Sequence, residues 1–474
     1  MLDNRGKITV FLTLITICLL SLGLTAIRVV ELEGARVKSV ICAKRAISEI
    51  KAGFNPYIFE KYHILLFDKG VYGEGDAGLE QQLQEYFDRA LGEKYTDTEV
   101  AISGLLMPGD NDCEPFKQQI ADYMLYGAIE GGAEKVLDLT DGKDGSLSEN
   151  ILNDMDEAER TQTDGQGVQK EADDNTGNAG AKEDPRKFTK KIKKNGILAF
   201  VVPEGMELSE SEFDPGTLSV GHKIYNFSSS VDLEFDSFSD FKKDVRSYES
   251  WLDSLKNAGS AVFYANNVFN NALDTDVNTE TALKYELEYL ICNKFSDIDN
   301  LKECVNRIIL IRFPVDYAYI LTDAEKVKQI KSISTAVFLA SGIPEPIVRY
   351  LVAGAWSYVE AVADVRVLLE GKKEPFKKSV DTWHTDIFRL GESVEQAKGS
   401  DQTVEKGMEY KDYLTILLAL RGEEIYPGML ELIELNTKLK YEDFSMKDAV
   451  VGMSVDFFTT YMNKKMAFNE KGGY

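Results

Sequence analysis

The stretch ITVFLTLITICLLSLGLTAI, residues 8–27, contains no charged side chain. As a helix with a rise of about 1.5 Å per residue, it would span about 30 Å, the thickness of a bilayer's hydrocarbon core. A core helix of a soluble protein is rarely this long without a break. A cleaved signal peptide has a shorter apolar region and a small-x-small cleavage site, and residues 24–26, LTA, are a poor site. We therefore predict a retained transmembrane helix. Its predicted membrane-anchor residues are Ile8, Phe11, Leu20 and Ile27.

Basic residues flank this helix on both sides, so its orientation depends on a balance of charges. Arg5 and Lys7 favour a cytoplasmic N-terminus, because cytoplasmic flanks are enriched in basic residues. The opposite flank favours the reverse orientation through Arg28, Arg36, Lys38, Lys44 and Arg45. The strongly acidic remainder of the chain favours export. We expect a single-pass protein of the cell membrane, with residues 1–7 in the cytoplasm, residues 8–27 in the bilayer and an extracellular C-terminal domain.

The helix is predicted to continue past the membrane to about Lys51. Residues 28–51 contain no proline and a single glycine, and Gly53 and Pro56 then end the helical pattern. One helical face is predicted to be apolar, although charged residues interrupt it. The apolar residues of this face are Val29, Val30, Val37, Val40, Ile47 and Ile50. A long helix, half in lipid and half attached to an outer domain, is the architecture of pilin-like subunits.

The net charge of the 474-residue chain is -25, which is unusually acidic. Such a surface repels phosphate backbones, so we expect no nucleic-acid partner. The five cysteines are too few and too scattered to form a disulfide framework. Cys292 and Cys304 can pair only if the two helices that contain them pack closely.

The predicted fold class is α+β: a pilin-like N-terminal helix followed by a mainly helical acidic ectodomain with some strands. Residues 28–137 are interpreted as a juxtamembrane helix and an α+β region, with a strand near 100–106. Residues 138–187 contain no aromatic residue, and we predict that they form a disordered acidic linker or loop. Residues 188–474 form the mainly helical ectodomain. Its predicted elements include strands at 194–203 and 446–458 and helices at 299–313 and 344–371.

The predicted helix 344–371 is apolar nearly all round, which is typical of a core helix. Arg349, Trp356, Glu360 and Asp364 nevertheless fall within about 80° of one another, at about 100° per residue. Two carboxylates one turn apart are able to act as an acid/base pair or as metal ligands. Buried carboxylates are more often neutralised by arginines. We therefore predict a structural ion network, with no catalytic residue, formed by Arg349, Glu360, Asp364, Arg366, Arg307 and Arg312.

Other motifs give weak indications of a site. Residues 73–78, GEGDAG, match a dinucleotide-binding pattern, but two carboxylates would face the pyrophosphate, so we interpret the segment as a turn. Residues 274–278, DTDVN, have the opening spacing of a calcium loop, yet Thr279 replaces its glycine and Tyr285 its glutamate. His63, His222 and His384 lack metal-ligand spacing. No cofactor and no metal are predicted.

Several short stretches, taken together, resemble an uncharacterised Gram-positive membrane family, domain of unknown function 5702, associated with tight-adherence pilus loci. They are RGKITVFL at 5–12, YELEY at 285–289, AWSYVE at 355–360, DVR at 364–366, GKK at 371–373 and YKDYL at 410–414. The resemblance also includes Asp299-Asn300-Leu301, Arg312, Lys378-Ser379, Trp383, Asp443-Phe444 and Asp448. Prepilins usually have a glutamate five residues after the processing glycine. Counted from Gly6, that position holds Phe11, which departs from the pattern.

The resemblance implies a membrane-anchored, non-catalytic, pilin-like or pseudopilin-like component of a surface pilus or secretion assembly. Its expected partners are the lipid bilayer, through the N-terminal helix, and other assembly proteins. The alternative is an extracellular ligand-binding or hydrolytic domain that uses the face formed by Arg349, Glu360 and Asp364. That alternative predicts an open pocket beside Trp356.

Overall fold

The computed structural model of the chain describes residues 4–73, 75–126, 184–219, 260–274, 280–341, 343–397 and 407–474. Helices predominate over strands, which confirms the α+β class with one long apolar N-terminal helix. The helices are α1 Asn4–Lys51, α2 Pro56–Tyr62, α3 Gly75–Leu91, α4 Asp110–Tyr126, α5 Pro185–Asn195, α6 Leu198–Val201, α7 Ser260–Val268, α8 Glu286–Cys292, α9 Asp297–Thr322, α10 Ala324–Ser341, α11 Glu345–Leu369, α12 Leu390–Glu395, α13 Tyr410–Arg421 and α14 Ile425–Lys438. The strands are β1 Phe67–Asp68, β2 Thr96–Leu106, β3 Glu374–Pro375, β4 Gly407–Met408, β5 Ala449–Val450, β6 Gly452–Tyr461 and β7 Lys464–Gly473.

The chain divides into two compact units. Unit 1 comprises Met1–Ile120, Leu218–Val220 and Thr437–Tyr474, and unit 2 comprises Ala121–Thr217 and Gly221–Asn436. The consecutive division predicted from sequence differs from this one, because it assigned all of residues 188–474 to a single region. Strand pairing between β2 and β6 joins residues more than three hundred positions apart. No local sequence pattern predicts a strand pairing between segments so far apart in the chain.

Helix α1 is long and apolar enough to cross a membrane. Residues 7–31 are exposed throughout, and the four predicted anchor residues are 57–66% exposed. Burial begins at Ala35, where α1 starts to pack on the rest of unit 1. The exposed part of α1 is thus the part that the sequence assigns to lipid, and the second part is a structural element of unit 1.

The buried face of α1 differs from the predicted one. Val29, Val30 and Val37 are exposed, and only Ile47 and Ile50 of the predicted face are buried. The face that packs is rich in small side chains: Ala35, Ser39, Cys42, Ala43, Ala46, Ile47 and Ile50. For the residues that precede Ile47, hydropathy predicted the wrong face. Small side chains allow a helix to approach its neighbours closely, so the face rich in small residues packs although larger apolar residues lie on another face.

A three-stranded antiparallel sheet of order β2-β6-β7 forms the centre of unit 1. The β6–β7 hairpin turns at Met462 and Asn463, both with positive φ, as the two central residues of a tight hairpin turn require. Helix α3 is amphipathic, with buried residues Leu79, Leu83, Phe87 and Leu91. Its Phe87 ring lies 4.8 Å from that of Phe457 on β6, so α3 and the sheet share one core.

The end of β7 is packed directly on α1. A Cβ added at Gly472 would lie 2.3 Å from Ile47 Cγ2, so only glycine fits at this crossing. The Tyr474 hydroxyl donates a hydrogen bond to the carbonyl of Lys51, at the C-terminal end of α1. The predicted strand 446–458 corresponds to β5 and β6, whereas β7, with lysines at its start, was not predicted.

Unit 2 is built around α11, which is buried along nearly its whole length, as the sequence predicted. Helices α9 and α10 pack on it, together with α5, α6 and α12. Ser296 caps α9 by accepting a hydrogen bond from the Asp299 amide. Helix α9 continues past Pro314 to Thr322, so the predicted end near residue 313 is wrong; burial of its face against α11 outweighs the proline's cost.

Two further predictions for this part of the chain need correction. The apolar run within 194–203 is helical at Leu198–Val201, rather than a strand. The prediction failed because a short apolar run does not distinguish a buried strand from a buried helix. Asp184 caps α5, which starts at Pro185, so the last residues of the predicted linker 138–187 are ordered. The rest of that linker, residues 138–183, lies outside the described residues.

A buried ion cluster as the candidate functional site

Three segments of unit 2 bring charged side chains together in its core. Helix α9 provides two of them one turn apart, α11 provides another two one turn apart, and the segment from β3 to residue 384 provides three. We call this group the ion cluster. Its members are Arg312, Asp316, Glu360, Asp364, Glu374, Lys378 and His384.

Asp364 lies at the centre of the ion cluster and is fully buried. Its Oδ2 accepts hydrogen bonds from Arg312 Nη2 and, at 2.8 Å, from Arg312 Nε. Its Oδ1 accepts one from Lys378 Nζ. Burial alone would raise the pKa of Asp364, but the charges of Arg312 and Lys378 outweigh it and hold the pKa below its usual value. Asp364 is therefore ionised and fully paired.

Arg312 is held by more than its carboxylate partner. Its Nη1 donates to the Pro375 carbonyl at 2.7 Å and to the Tyr413 hydroxyl at 3.0 Å. Burial alone would lower the pKa of Arg312, but the charge of Asp364 outweighs it, so the pKa lies above its usual value. The guanidinium thus ties α9 to α11, to β3 and to α13 through one planar group.

Glu360 is satisfied mainly by backbone amides. Its Oε1 accepts from the His384 amide at 2.7 Å and lies 3.0 Å from Lys378 Nζ. Its Oε2 accepts from the amide and the hydroxyl of Thr385, at 2.8 and 2.6 Å. The same hydroxyl accepts a hydrogen bond from Trp356 Nε1. Glu360 therefore fixes the path of residues 384–385 across α11.

His384 Nε2 lies 2.9 Å from Glu374 Oε1 and 3.6 Å from Asp364 Oδ1. Burial alone would lower the pKa of His384, but the hydrogen bond with Glu374 outweighs it and raises the pKa. The imidazole is therefore stabilised in its protonated form by the carboxylates around it.

Asp316 differs from the other carboxylates in the ion cluster. It is fully buried, neither carboxylate oxygen accepts a hydrogen bond, and its nearest cation, Arg312 Nη2, lies 3.7 Å away. Burial raises the pKa of Asp316, and the neighbouring charge of Asp364 raises it further. With Asp316 protonated, three carboxylates face Arg312, Lys378 and protonated His384, so the buried charges balance.

The ion cluster also contains a group of potential metal ligands. One ligand atom each from Glu360, Asp364 and His384 lie within 4.8 Å of one another. Lys378 Nζ, however, contacts both carboxylates directly and supplies the positive charge that a cation would bring. The side chains of Glu360, Asp364 and Lys378 are 0% exposed. As arranged here, the ligand group is filled by an ammonium and does not fit an additional metal ion.

The structure brings together only some of the six residues in the predicted ion network. Arg312, Glu360 and Asp364 meet in the ion cluster. Arg349 instead pairs with Glu345 on its own helix, at 2.8 Å. The other two arginines act locally: Arg307 donates to the Ile291 carbonyl and contacts Glu303, and Arg366 donates to the carbonyls of Phe200 and Val202. Arg349 lies on the predicted face of α11, but near the start of the helix and eleven residues before Glu360. A helical wheel does not show this separation along the axis.

Four members of the ion cluster were not predicted from sequence: Asp316, Glu374, Lys378 and His384. In the sequence, Lys378 is part of the family resemblance only, and His384 lacks metal-ligand spacing. Asp316 lies four residues after Arg312, a spacing that places both on one face of α9. That spacing was the available signal. The loop after β3 gave none, because its path over α11 is set by tertiary contacts.

Trp356 and the two carboxylates of the face proposed for an extracellular enzyme are buried in this structure, whereas Arg349 is partly exposed. Trp356 is 1% exposed and Glu360 and Asp364 are 0% exposed. Trp383 packs edge-on against Trp356 with ring centroids 5.6 Å apart, and Lys326 Nζ lies 4.8 Å from the Trp383 ring. The open pocket that the alternative requires beside Trp356 is occupied by these side chains.

The YELEY motif at 285–289 forms a second buried polar group. Glu286 accepts hydrogen bonds from the Asn270 amide and from Asn436 Nδ2, at 2.9 and 2.6 Å. Glu288 accepts from the Ala272 amide and the Tyr410 hydroxyl, both at 2.9 Å. Burial raises the pKa of Glu288 to about 7. These alternate carboxylates bind the backbone of residues 270–272, which is a structural role.

The remaining motifs have structural roles where they are described. In the glycine-rich segment, Gly73 and Gly75 have positive φ, and Asp76 pairs with Lys69 at 2.6 Å, as expected for a turn before α3. Asp274 accepts a hydrogen bond from the Asn271 amide. The rest of the calcium-like segment, residues 275–279, and His222 lie outside the described residues. His63 is exposed at the end of α2.

The motifs at 285–289, 355–360 and 410–414 fall within one matched region. The model of a family of unknown function (DUF5702) matches residues 175–461, which is more than half of the chain. The chain belongs to the DUF5702 family. The matched range includes every member of the ion cluster, whereas the RGKITVFL stretch at 5–12 precedes it. No curated protein and no solved structure matches the chain.

Proposed function

We propose that this DUF5702 protein is a membrane-anchored, non-catalytic, pilin-like component of a surface pilus or secretion assembly. Residues 1–7 lie in the cytoplasm, residues 8–27 cross the cell membrane, and the two units lie outside the cell. The association with tight-adherence pilus loci in Gram-positive bacteria, implied by the sequence resemblance, belongs to this proposal.

The observation that supports it most is a second apolar stripe on α1, opposite the face that packs on α3 and the sheet. The exposed stripe comprises Leu20, Gly23, Ile27, Val30, Gly34, Val37 and Ile41. Its spacing alternates between three and four residues, as in the seam of a coiled coil. Apart from the adjacent residues and the backbone of α1 itself, no heavy atom lies within 4 Å of a Cβ added at Gly23 or Gly34. Small residues at a seam allow two helices to approach closely.

Lipid cannot cover the whole stripe. Ile41 is fourteen residues beyond Ile27, so it lies about 21 Å further along the helix at about 1.5 Å per residue. The headgroup region adds only about 5–8 Å on each side of the hydrocarbon core. Val37 and Ile41 are 58% and 60% exposed. The apolar stripe therefore continues beyond the membrane. A stripe of this length fits packing against the helix of another assembly subunit.

The ion cluster supports the non-catalytic part of the proposal. Its carboxylates are neutralised by Arg312, Lys378 and His384 inside the core of unit 2. Charges that face one another in this way hold helices in register, and the side chains of Glu360, Asp364 and Lys378 are fully buried.

Protease treatment of intact cells tests the topology. The proposal predicts that the chain fractionates with membranes and that external protease degrades the C-terminal units, while a tag before residue 8 survives. A protected C-terminal domain in intact cells would contradict the topology.

Substitution within the stripe tests the assembly role. Val37→Glu is expected to reduce surface filaments or secreted material while the protein remains in the membrane at a normal level. Arg36→Glu is the matched control, because Arg36 is also exposed but lies about 100° away around the helix. If a gene deletion leaves surface filaments and secretion unchanged, the pilus role is wrong.

A further inference from the structure

Two cysteines of unit 2 face each other where α8 meets α9. Cys292 is the last residue of α8 and Cys304 lies on the third turn of α9. Their Sγ atoms are 3.2 Å apart, about 1 Å longer than the separation in a disulfide bond. Both are buried, at 6% and 0% exposure. The condition that the sequence set for their pairing, close packing of the two helices, is met.

The surrounding contacts hold the two thiols in this position. Asn293 ends α8 in the left-handed conformation, with φ of 56°. The Asn300 side chain accepts from the Lys294 amide and donates to the Lys294 carbonyl, both at 2.9 Å, which closes the connection between the helices. Arg307 Nη1 donates to the Ile291 carbonyl at 3.0 Å. These hydrogen bonds fix the connection between α8 and α9, and this fixed connection brings the two sulfur atoms close together.

We propose that Cys292 and Cys304 form a structural disulfide when the protein meets a disulfide oxidant outside the cytoplasm. A thiolate of the pair attacks an oxidant RSSR and releases one RSH, and the second cysteine displaces the other RSH from the mixed disulfide. The protein loses two protons and two electrons, and the oxidant RSSR gains them and becomes two thiols. This inference rests on the extracellular location in the proposed function, but not on a role in a pilus.

Burial determines when this reaction takes place. Burial raises the pKa of the Cys304 thiol, and the adjacent Cys292 raises it further, so thiolate is scarce in the folded protein. The bond therefore forms efficiently while α8 and α9 are still accessible during folding, and reductants reach it slowly afterwards. The resulting cross-link ties α8, with its buried Glu286 and Glu288, to α9, which provides Arg312 to the ion cluster.

Peptide mapping distinguishes this bond from every other pairing. Lys294 and Lys302 lie between the two cysteines, so trypsin releases residues 285–294 and 303–307 as separate peptides. The full-length protein is solubilised in mild detergent, partly opened with low urea, incubated with excess oxidised glutathione, quenched with acid and alkylated. The two peptides are expected to appear linked, two hydrogens lighter than their sum. Recovery of both peptides alkylated and unlinked under these conditions would overturn the proposal.

Melting of the same sample gives an independent readout. A closed loop of this size predicts stabilisation that raises Tm by roughly 6–12 °C over the reduced protein. Cys292→Ser is expected to melt like the reduced form and to show no response to reductant. Cys42→Ser, in unit 1, is the matched control and keeps the linked peptides. A linked pair that leaves Tm unchanged would exclude the structural role.

Discussion

Arg312 on α9 donates two hydrogen bonds to a single carboxylate oxygen of Asp364 on α11, and neither side chain is exposed. Water is therefore excluded from the pair, and the attraction between the charges is screened little. A buried pair of this kind adds little net stability over an apolar replacement, but removal of one partner leaves an unpaired charge in the core. This asymmetry determines what substitutions in the ion cluster do.

Asp364→Asn is expected to destabilise unit 2 by about 3–5 kcal/mol, because Arg312 and Lys378 lose their shared anion. Chemical denaturation followed by tryptophan fluorescence measures the change. Glu345→Gln is the matched control: it removes a charge from the partly exposed pair with Arg349 and should cost less than about 1 kcal/mol. Equal losses for the two variants would contradict the central position of Asp364.

Asp316→Asn makes the same chemical change one helix away and is expected to cost less than about 1 kcal/mol at neutral pH. Burial raises the pKa of Asp316 and so favours its neutral form, and neither of its oxygens accepts a hydrogen bond that asparagine would lose. A loss as large as that of Asp364→Asn would show that Asp316 is ionised in the folded protein.

Unit 2 is expected to lose stability as pH rises through the raised pKa of His384. A histidine whose pKa in the folded protein exceeds its unfolded value of about 6.5 stabilises the fold. This stabilisation is fully present at pH values below the unfolded pKa. The contribution disappears as pH rises through the folded pKa, and Asp316 acts in the same direction. Denaturation at about pH 6 and about pH 8.5 measures the difference. His384→Gln should reduce this difference. An imidazole signal of His384 that titrates below about pH 6.5 would refute this prediction.

Gly472→Ala is expected to destabilise unit 1 by about 1–3 kcal/mol, because the added methyl would meet Ile47 Cγ2 at 2.3 Å. Gly473→Ala is the matched control one residue later, where the nearest atom is 3.7 Å away. Limited proteolysis at the end of β7 and thermal melting compare the two variants. If both behave like the parent protein, β7 is not packed on α1 as described.

Sequence reasoning succeeded where the signal is local. The long apolar run predicted α1, and the nearly continuous apolar pattern of residues 344–371 predicted the buried helix α11. The pairing of Glu360 and Asp364 with a cation also followed from chemistry, since carboxylates on a buried helix require one. Arg312 was among the candidates because it is near in sequence and positively charged.

The remainder depends on contacts that local patterns do not encode. Lys378 and His384 reach the ion cluster because residues 374–385 cross α11, a path fixed by Glu360 and Thr385 after the chain has folded. The β6–β7 hairpin joins unit 1 through pairing with β2, far away in sequence. The packing face of α1 was misassigned because side-chain size, rather than hydropathy, determines close helix packing.

The claim that α1 packs against another subunit outside the bilayer is tested most directly by a photo-crosslinking amino acid at position 37 in intact cells. Position 36, exposed on a different face of α1, is the control. We expect protein adducts of discrete mass from position 37 and far fewer from position 36. Absence of protein adducts from position 37, or equal yields from the two positions, would contradict it.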